Sequence, residues 1–131
     1  MRISMNSVFV DDQAKAQKFY TEKLGFVTKV DVPAGGARWL TVVSPDDPNG
    51  TELLLEPNGH PAATAYQKAI FADGIPATAF TSTNIHEEYE RLKARGVVFT
   101  KAPTQFGPAI IATFEDTCGN LIQMLQVVGQ P

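Results

Sequence analysis

The chain has few of the side chains that staple a fold or carry catalysis. Of its 131 residues, one is cysteine, two are histidine and one is tryptophan. A lone thiol, Cys118, excludes an internal disulfide, and it lacks the CxxC spacing of a thiol metal site or redox pair. Its place in a predicted turn makes it a small, half-buried structural residue, with a catalytic thiol as the weaker alternative. Such cysteine use fits a reducing compartment. Apolar runs of membrane-spanning length are missing. The first six residues lead straight into a strand and do not resemble a secretory leader. The expectation is a cytoplasmic protein with no membrane partner. Basic runs are missing too. A net charge of −3, with no Lys/Arg cluster to displace counterions, argues against a nucleic-acid partner. Two histidines assemble no Ser-His-Asp set, and no Gly-rich phosphate loop is present.

What is present is ordinary globular material, 44% apolar and 19% charged, of a length that suits one domain. Strands are predicted over residues 3–10, 26–32, 38–43, 51–56, 77–82, 97–100, 108–114 and 121–127. Helices are predicted from about Gln13 to Leu24, from Ala62 to Ala72 and from Asn84 to Arg95. Asp11 or Asp12 and Asn84 are N-cap types, and Gly25 and Gly96 are C-terminal stops. Pro33–Gly36 and Ala102–Gly107 read as turn and loop. Tyr66, Ile70 and Phe71 are the expected apolar contacts of the middle helix. The stretch from Asp116 to Leu125 is a tight turn at Gly119-Asn120 feeding a strand. Alternation there puts Gln123 between Leu121 and Leu125 on one face.

The order of elements repeats. Two βαβββ modules, about residues 1–57 and 76–131, flank a connector over 58–75, all within one domain. A shift of 71 positions lays Phe9 on Phe80, Gly25 on Gly96, Glu52 on Gln123 and Leu54 on Leu125. Two copies are too few for a solenoid. The segments Val8-Phe9-Val10-Asp11-Asp12, Phe19-Tyr20 and Leu24-Gly25-Phe26, with Phe114-Glu115-Asp116, Gly119-Asn120 and Gln123, resemble the vicinal oxygen chelate superfamily. That group includes glyoxalase I, bleomycin-resistance proteins and extradiol dioxygenases. The resemblance implies an α+β fold of tandem βαβββ modules, each a partly open, barrel-like curved sheet with the pocket inside the curve. It also implies a homodimer.

Metal-dependent members of the superfamily are similar in placing one ligand, His or Glu, on the first and last strand of each module. Carried over, the positions fall near Met5 or Asn6, at Glu52 (or, with a register slip, Leu54 or Glu56), near Ala77, and at Gln123. One clear donor of four is too few to hold a transition metal, so no cofactor is expected. The alternative is a divalent Zn, Ni or Fe held by other residues. Glu52 faces either the cavity or solvent. If inward, it is positioned to share a polar centre with Gln123. His60, in the connector, is a candidate acid or base near Glu56, and His86 is an exposed helix residue. Arg38, Trp39, Tyr66, Phe71, Phe106 and Phe114 are candidates to line an apolar pocket with one cationic anchor. Two functions follow: a metal-independent binder of a small aromatic or cationic molecule, or a metal-dependent glyoxalase-like lyase or isomerase or extradiol-type dioxygenase.

Overall fold

The computed structural model describes residues 1–129. Two four-stranded mixed sheets form, each with its module's first and last strands paired in parallel. In module 1, β1 (Met5–Val10), β2 (Val27–Ala34), β3 (Ala37–Val43) and β4 (Glu52–Pro57) lie in the order β1-β4-β3-β2. In module 2, β5 (Thr78–Thr81), β6 (Phe99–Phe106), β7 (Ala109–Glu115) and β8 (Leu121–Val127) lie in the order β5-β8-β7-β6. The expected α+β arrangement of paired βαβββ modules is present.

Helix α1 (Gln13–Lys18) starts at Asp12, whose carboxylate accepts the Lys15 amide. It continues as a π-helical turn over Phe19–Lys23. That turn makes module 1 one residue longer between its cap, Asp12, and its stopping glycine, Gly25, than module 2 is between Asn84 and Gly96. Single π turns are one-residue insertions of this kind. Helix α2 (Pro61–Ala72) forms the connector and α3 (Ile85–Ala94) belongs to module 2.

Strand alternation sends one set of side chains into a core shared by both modules. Val8, Val10, Leu40, Val42, Leu53 and Leu55 come from module 1, and Ala112, Phe114, Ile122 and Met124 from module 2. Phe19 and Tyr20 of the π turn join them, and Tyr20 stacks near Phe26 and Phe80. The opposite set forms an open face on each sheet.

Five expectations change. Residues 102–106 are strand, not loop, and Pro33 and Ala34 extend β2. Pro103 and Pro33 are tolerated because β6 and β2 are edge strands, where a missing N–H leaves no ladder bond unmade. The turn after β2 contracts to Gly35-Gly36, both at positive φ, the conformation a tight hairpin needs. Helix α2 buries Ala63 and Gln67, not Tyr66 or Phe71, which are exposed. Cys118 is fully buried rather than half-buried.

The fifth change is in the alignment of the modules. Val8 pairs with Leu55 and Phe80 with Met124, and all four belong to the core. Leu54 is therefore the counterpart of Gln123, and Glu52 that of Leu121. The uniform shift failed because the π turn adds a residue and the β3–β4 loop is longer than the β7–β8 turn.

Candidate functional site

The open face of module 1 carries Trp39, Thr41 and Val43 from β3, Glu52, Leu54 and Glu56 from β4, and Ser7 from β1, as the strand register dictates. Thr41 is buried, and its hydroxyl donates to Glu52 Oε1 at 2.7 Å. Trp39 is 43% exposed and lies opposite Val32. The open face of module 2 carries Ala79, Ile111, Thr113, Leu121, Gln123 and Leu125, with Lys101 and Phe106 on its flank. The Lys101 ammonium sits 4.7 Å from the Phe106 ring centre, a cation–π contact.

A cleft of ≈ 530 Å³ opens between the modules. Phe26, Phe80 and Val42 supply its apolar wall, and Asp46, Asp47 and Glu52 its acidic side. Asn6 reaches across the junction to the Thr78 hydroxyl at 3.3 Å. Glu52 lines this cleft and Gln123 does not. The two residues share no hydrogen bond among the described residues, so the polar centre imagined between them is not formed.

The other predicted residues scatter. Arg38 is the direct neighbour of Trp39 and so points to the other side of the sheet. There its guanidinium bonds Asp31 and Gln17, and its backbone bonds the Gln13 side chain, all on the helix side. Arg38 beside Asp31 holds that carboxyl below its ordinary range. Phe114 is core, packed on Phe19 and Phe99 and edging a void of ≈ 60 Å³. Tyr66 and Phe71 stand on the exposed side of α2. His60 is the N-cap of α2, with Nδ1 accepting the Ala62 amide at 3.0 Å. Trp39 and Phe106 do lie on open faces, but on different sheets.

Pattern reading missed a buried polar latch. Asp116 Oδ1 accepts the Cys118 and Asn120 amides, and Oδ2 accepts the Tyr20 hydroxyl at 2.6 Å and Asn120 Nδ2. Gln67 Nε2 donates to Phe9 O, Cys118 O and Asn120 Oδ1. The latch joins β1, α1, α2 and the β7–β8 turn. Burial, then the neighbouring Asp116 charge, pushes the Tyr20 phenol well above its ordinary value. The same two causes push the Cys118 thiol up to about 12, so it is no nucleophile at neutral pH. The only local signal for this latch was the Asp116–Asn120 turn itself.

A metal does not fit the open faces. Of the positions where the resemblance puts metal ligands, Met5 pairs with Glu52 across β1 and β4, Gln123 pairs with Ala79, and Ala77 has no donor side chain. One acid, an amide and a thioether, spread over two sheets, do not make the three or four convergent donors a divalent transition metal needs. Among the described residues no group of three His, Cys, Asp or Glu side chains converges. No helix among them is long and apolar enough to cross a membrane.

Known proteins share this framework. The chain is 61% identical to the "uncharacterized protein YurT" of Bacillus subtilis (strain 168), over 96% of this chain and 99% of that one. The crystal structure of UcmS2 superposes with a TM-score of 0.83 at 33% identity, covering 95% and 97% of the two chains. That of TnmS3, an antibiotic binding protein from Streptomyces sp. CB03234, superposes with a TM-score of 0.78 at 27% identity, covering 97% and 96%. The family model described as Glyoxalase/Bleomycin resistance protein/Dioxygenase superfamily matches residues 2–124. Two βαβββ modules around one core, matched nearly end to end, place this chain in the glyoxalase/bleomycin resistance/dioxygenase superfamily.

Proposed function

We propose that this protein binds a small organic molecule on its curved sheets without a metal, in the manner of the bleomycin-resistance members of the superfamily. One observation carries the reading: at the expected ligand positions the chain holds Met5, Glu52, Ala77 and Gln123, a single carboxylate among them, which suits shape and amide recognition rather than coordination. The similarity to TnmS3, an antibiotic binding protein, supports the same class. Trp39 and Phe106 supply aromatic surface, and Glu52 a charge for a basic group. Tyr66 and Phe71 stand outside both faces and enter the site only if α2 shifts or a second copy meets it. We also propose a homodimer, supported by the exposed apolar residues Val32, Trp39, Phe106 and Val127 along the open faces. A metal-dependent lyase or dioxygenase is favoured by no residue set described above.

Elemental analysis of the dialysed protein is the first test, and well under one Zn, Ni or Fe per chain is expected. A stoichiometric ion would contradict the reading. A thermal-shift screen of aromatic and basic compounds follows, since a ligand held only by the native state adds about 2.7 kcal/mol at a hundredfold excess over Kd.

A further inference from the structure

The two modules treat the same threonine differently. Thr41 and Thr113 occupy equivalent places, each opposite a last-strand residue on the open face: Leu54 for Thr41, Gln123 for Thr113. Thr41 is satisfied from within, by Glu52. The counterpart of Glu52 in module 2 is Leu121, which accepts nothing. Thr113 is only 8% exposed, yet its hydroxyl has no side-chain or backbone partner among the described residues. The half-buried Gln123 amide beside it has none either. Every fully buried side-chain polar atom among the described residues is bonded, so both groups open onto the face. Leu121, Leu125, Ile111 and Ala79 lie around them, and Lys101 stands opposite Thr113 on β6. Water reaches the two polar groups while the face is empty, so an apolar body that covers them loses free energy unless it also completes them.

We infer that Gln123 and Thr113 form a recognition point for a neutral ligand whose edge carries one donor and one acceptor side by side: a carboxamide, a lactam or an equivalent group on an apolar body. A primary amide offers a C=O and an N–H₂ in one plane, so a second amide can meet it with two bonds. A lone carbonyl meets it with one, and an ammonium leaves the donor unmatched. The charged residues flanking the face do not change the class. Lys101 is held over Phe106, and Glu115 lies beyond Leu121 at the strand end. The inference deepens the small-molecule reading above and rests on it.

The test uses the ¹⁵N-labelled full chain and three probes of one size: benzamide, acetophenone and benzylamine. Benzamide is expected to shift the Gln123 side-chain N–H₂ and the Thr113 amide saturably, with acetophenone about tenfold weaker, the cost of one unmatched polar group. Gln123→Leu should bring the benzamide-to-acetophenone ratio to about one, with benzamide losing more affinity than acetophenone and spectral dispersion intact. Gln123→Glu should turn the preference to benzylamine, and it keeps the test open should the leucine variant fold poorly. Equal binding of all three probes would overturn the inference. So would benzamide shifts confined to the inter-module cleft around Thr81 and Glu52. Either result leaves the small-molecule reading standing. Failure of every probe and of the wider screen would remove both.

Discussion

In module 1 the β3–β4 ladder holds two residue pairs, Thr41 with Leu54 and Val42 with Leu53, whereas in module 2 β7 and β8 stay paired from Ala109–Val127 to Glu115–Leu121. Past Thr41 the strands of module 1 part, and the Gln13 amide fills the gap. Its Nε2 donates to Arg38 O at 2.7 Å and Leu55 O at 2.9 Å, and its Oε1 accepts the Arg38 amide. The connections differ as well. The β3–β4 loop is exposed from Ser44 to Asn49, while Asp116, Cys118 and Asn120 of the β7–β8 turn are buried. One topology is thus closed in two ways: by a continuous ladder and a buried turn in module 2, and by a side-chain plug and a solvated loop in module 1. Stability is expected to reside in the former and adaptability in the latter, since locally weak regions have few buried contacts.

The strongest way to break this contrast is to remove the acid from each connection. Asp116→Ala deletes an acceptor of four hydrogen bonds and leaves buried donors unpaired. Urea denaturation should show a loss of about 3 kcal/mol or more. Asp47→Ala, in the exposed loop, should stay within about 0.5 kcal/mol. Similar costs for both would show that the two connections do not differ energetically.

The latch also predicts an alkaline limb. Tyr20 and Cys118 are both neutral in the native state, with their acid dissociation pushed upward by burial. The unfolded chain releases these protons first, near pH 9 for the thiol and pH 10 for the phenol, as unperturbed groups do. Their contribution is therefore complete below about pH 9 and is lost as pH climbs toward the native values, about 12 for the thiol. Tyr20→Phe should cost about 1–3 kcal/mol at neutral pH by removing one of the two donors to Asp116 Oδ2. It should also flatten the limb above about pH 10. An unchanged alkaline profile in that variant would mean the phenol is not the titrating group.

Much of this was legible in the sequence for identifiable reasons. Alternation alone placed Leu121, Gln123 and Leu125 on one face, and Gly25 and Gly96 stop their helices at positive φ as read. Cross-module register was not legible. A one-residue π turn inside α1 leaves no mark in a three- and four-residue apolar spacing, and together with a β3–β4 loop longer than the β7–β8 turn it put Glu52, not Leu54, on Gln123. The latch was hidden because its partners are distant: Tyr20 meets Asp116 across 96 residues. Gln67 was passed over because a polar residue on a short helix is usually exposed. Arg38 and Trp39 were grouped by chemistry when their adjacency in a strand already separated them.

A smaller effect sharpens the picture of module 1. Gln13→Ala leaves the Arg38 and Leu55 carbonyls and the Arg38 amide without their partner. A loss of about 1–2 kcal/mol is expected, because water can reach the vacated gap. Hydrogen exchange should localise it, with the Arg38 amide losing protection while the β7–β8 amides keep theirs. Gln126→Ala, which removes the acceptor for the Ile85 amide at the start of α3, should cost about 1 kcal/mol with no change in sheet protection. If Gln13→Ala instead unfolds the whole domain at once, the plug is part of the global core and the division of labour between modules is wrong.

The smallest expected effect concerns the two neighbours in β3. Arg38→Ala removes an ion pair with the exposed Asp31, and pairs of that kind contribute little and less still in salt. Arg38 holds the Asp31 carboxyl low, so this small contribution is present above about pH 4, the ordinary carboxyl range, and fades as the acid is protonated below it. The urea midpoint at neutral pH should barely move. Trp39 is the sole tryptophan, so its emission reports the open face directly. Because the two side chains leave opposite sides of the strand, Arg38→Ala should leave both the emission maximum and its quenching by acrylamide unchanged. Any aromatic compound found by the thermal screen should quench that emission equally in both proteins. A change on either count would place the guanidinium beside the indole and restore Arg38 as an anchor of the binding face.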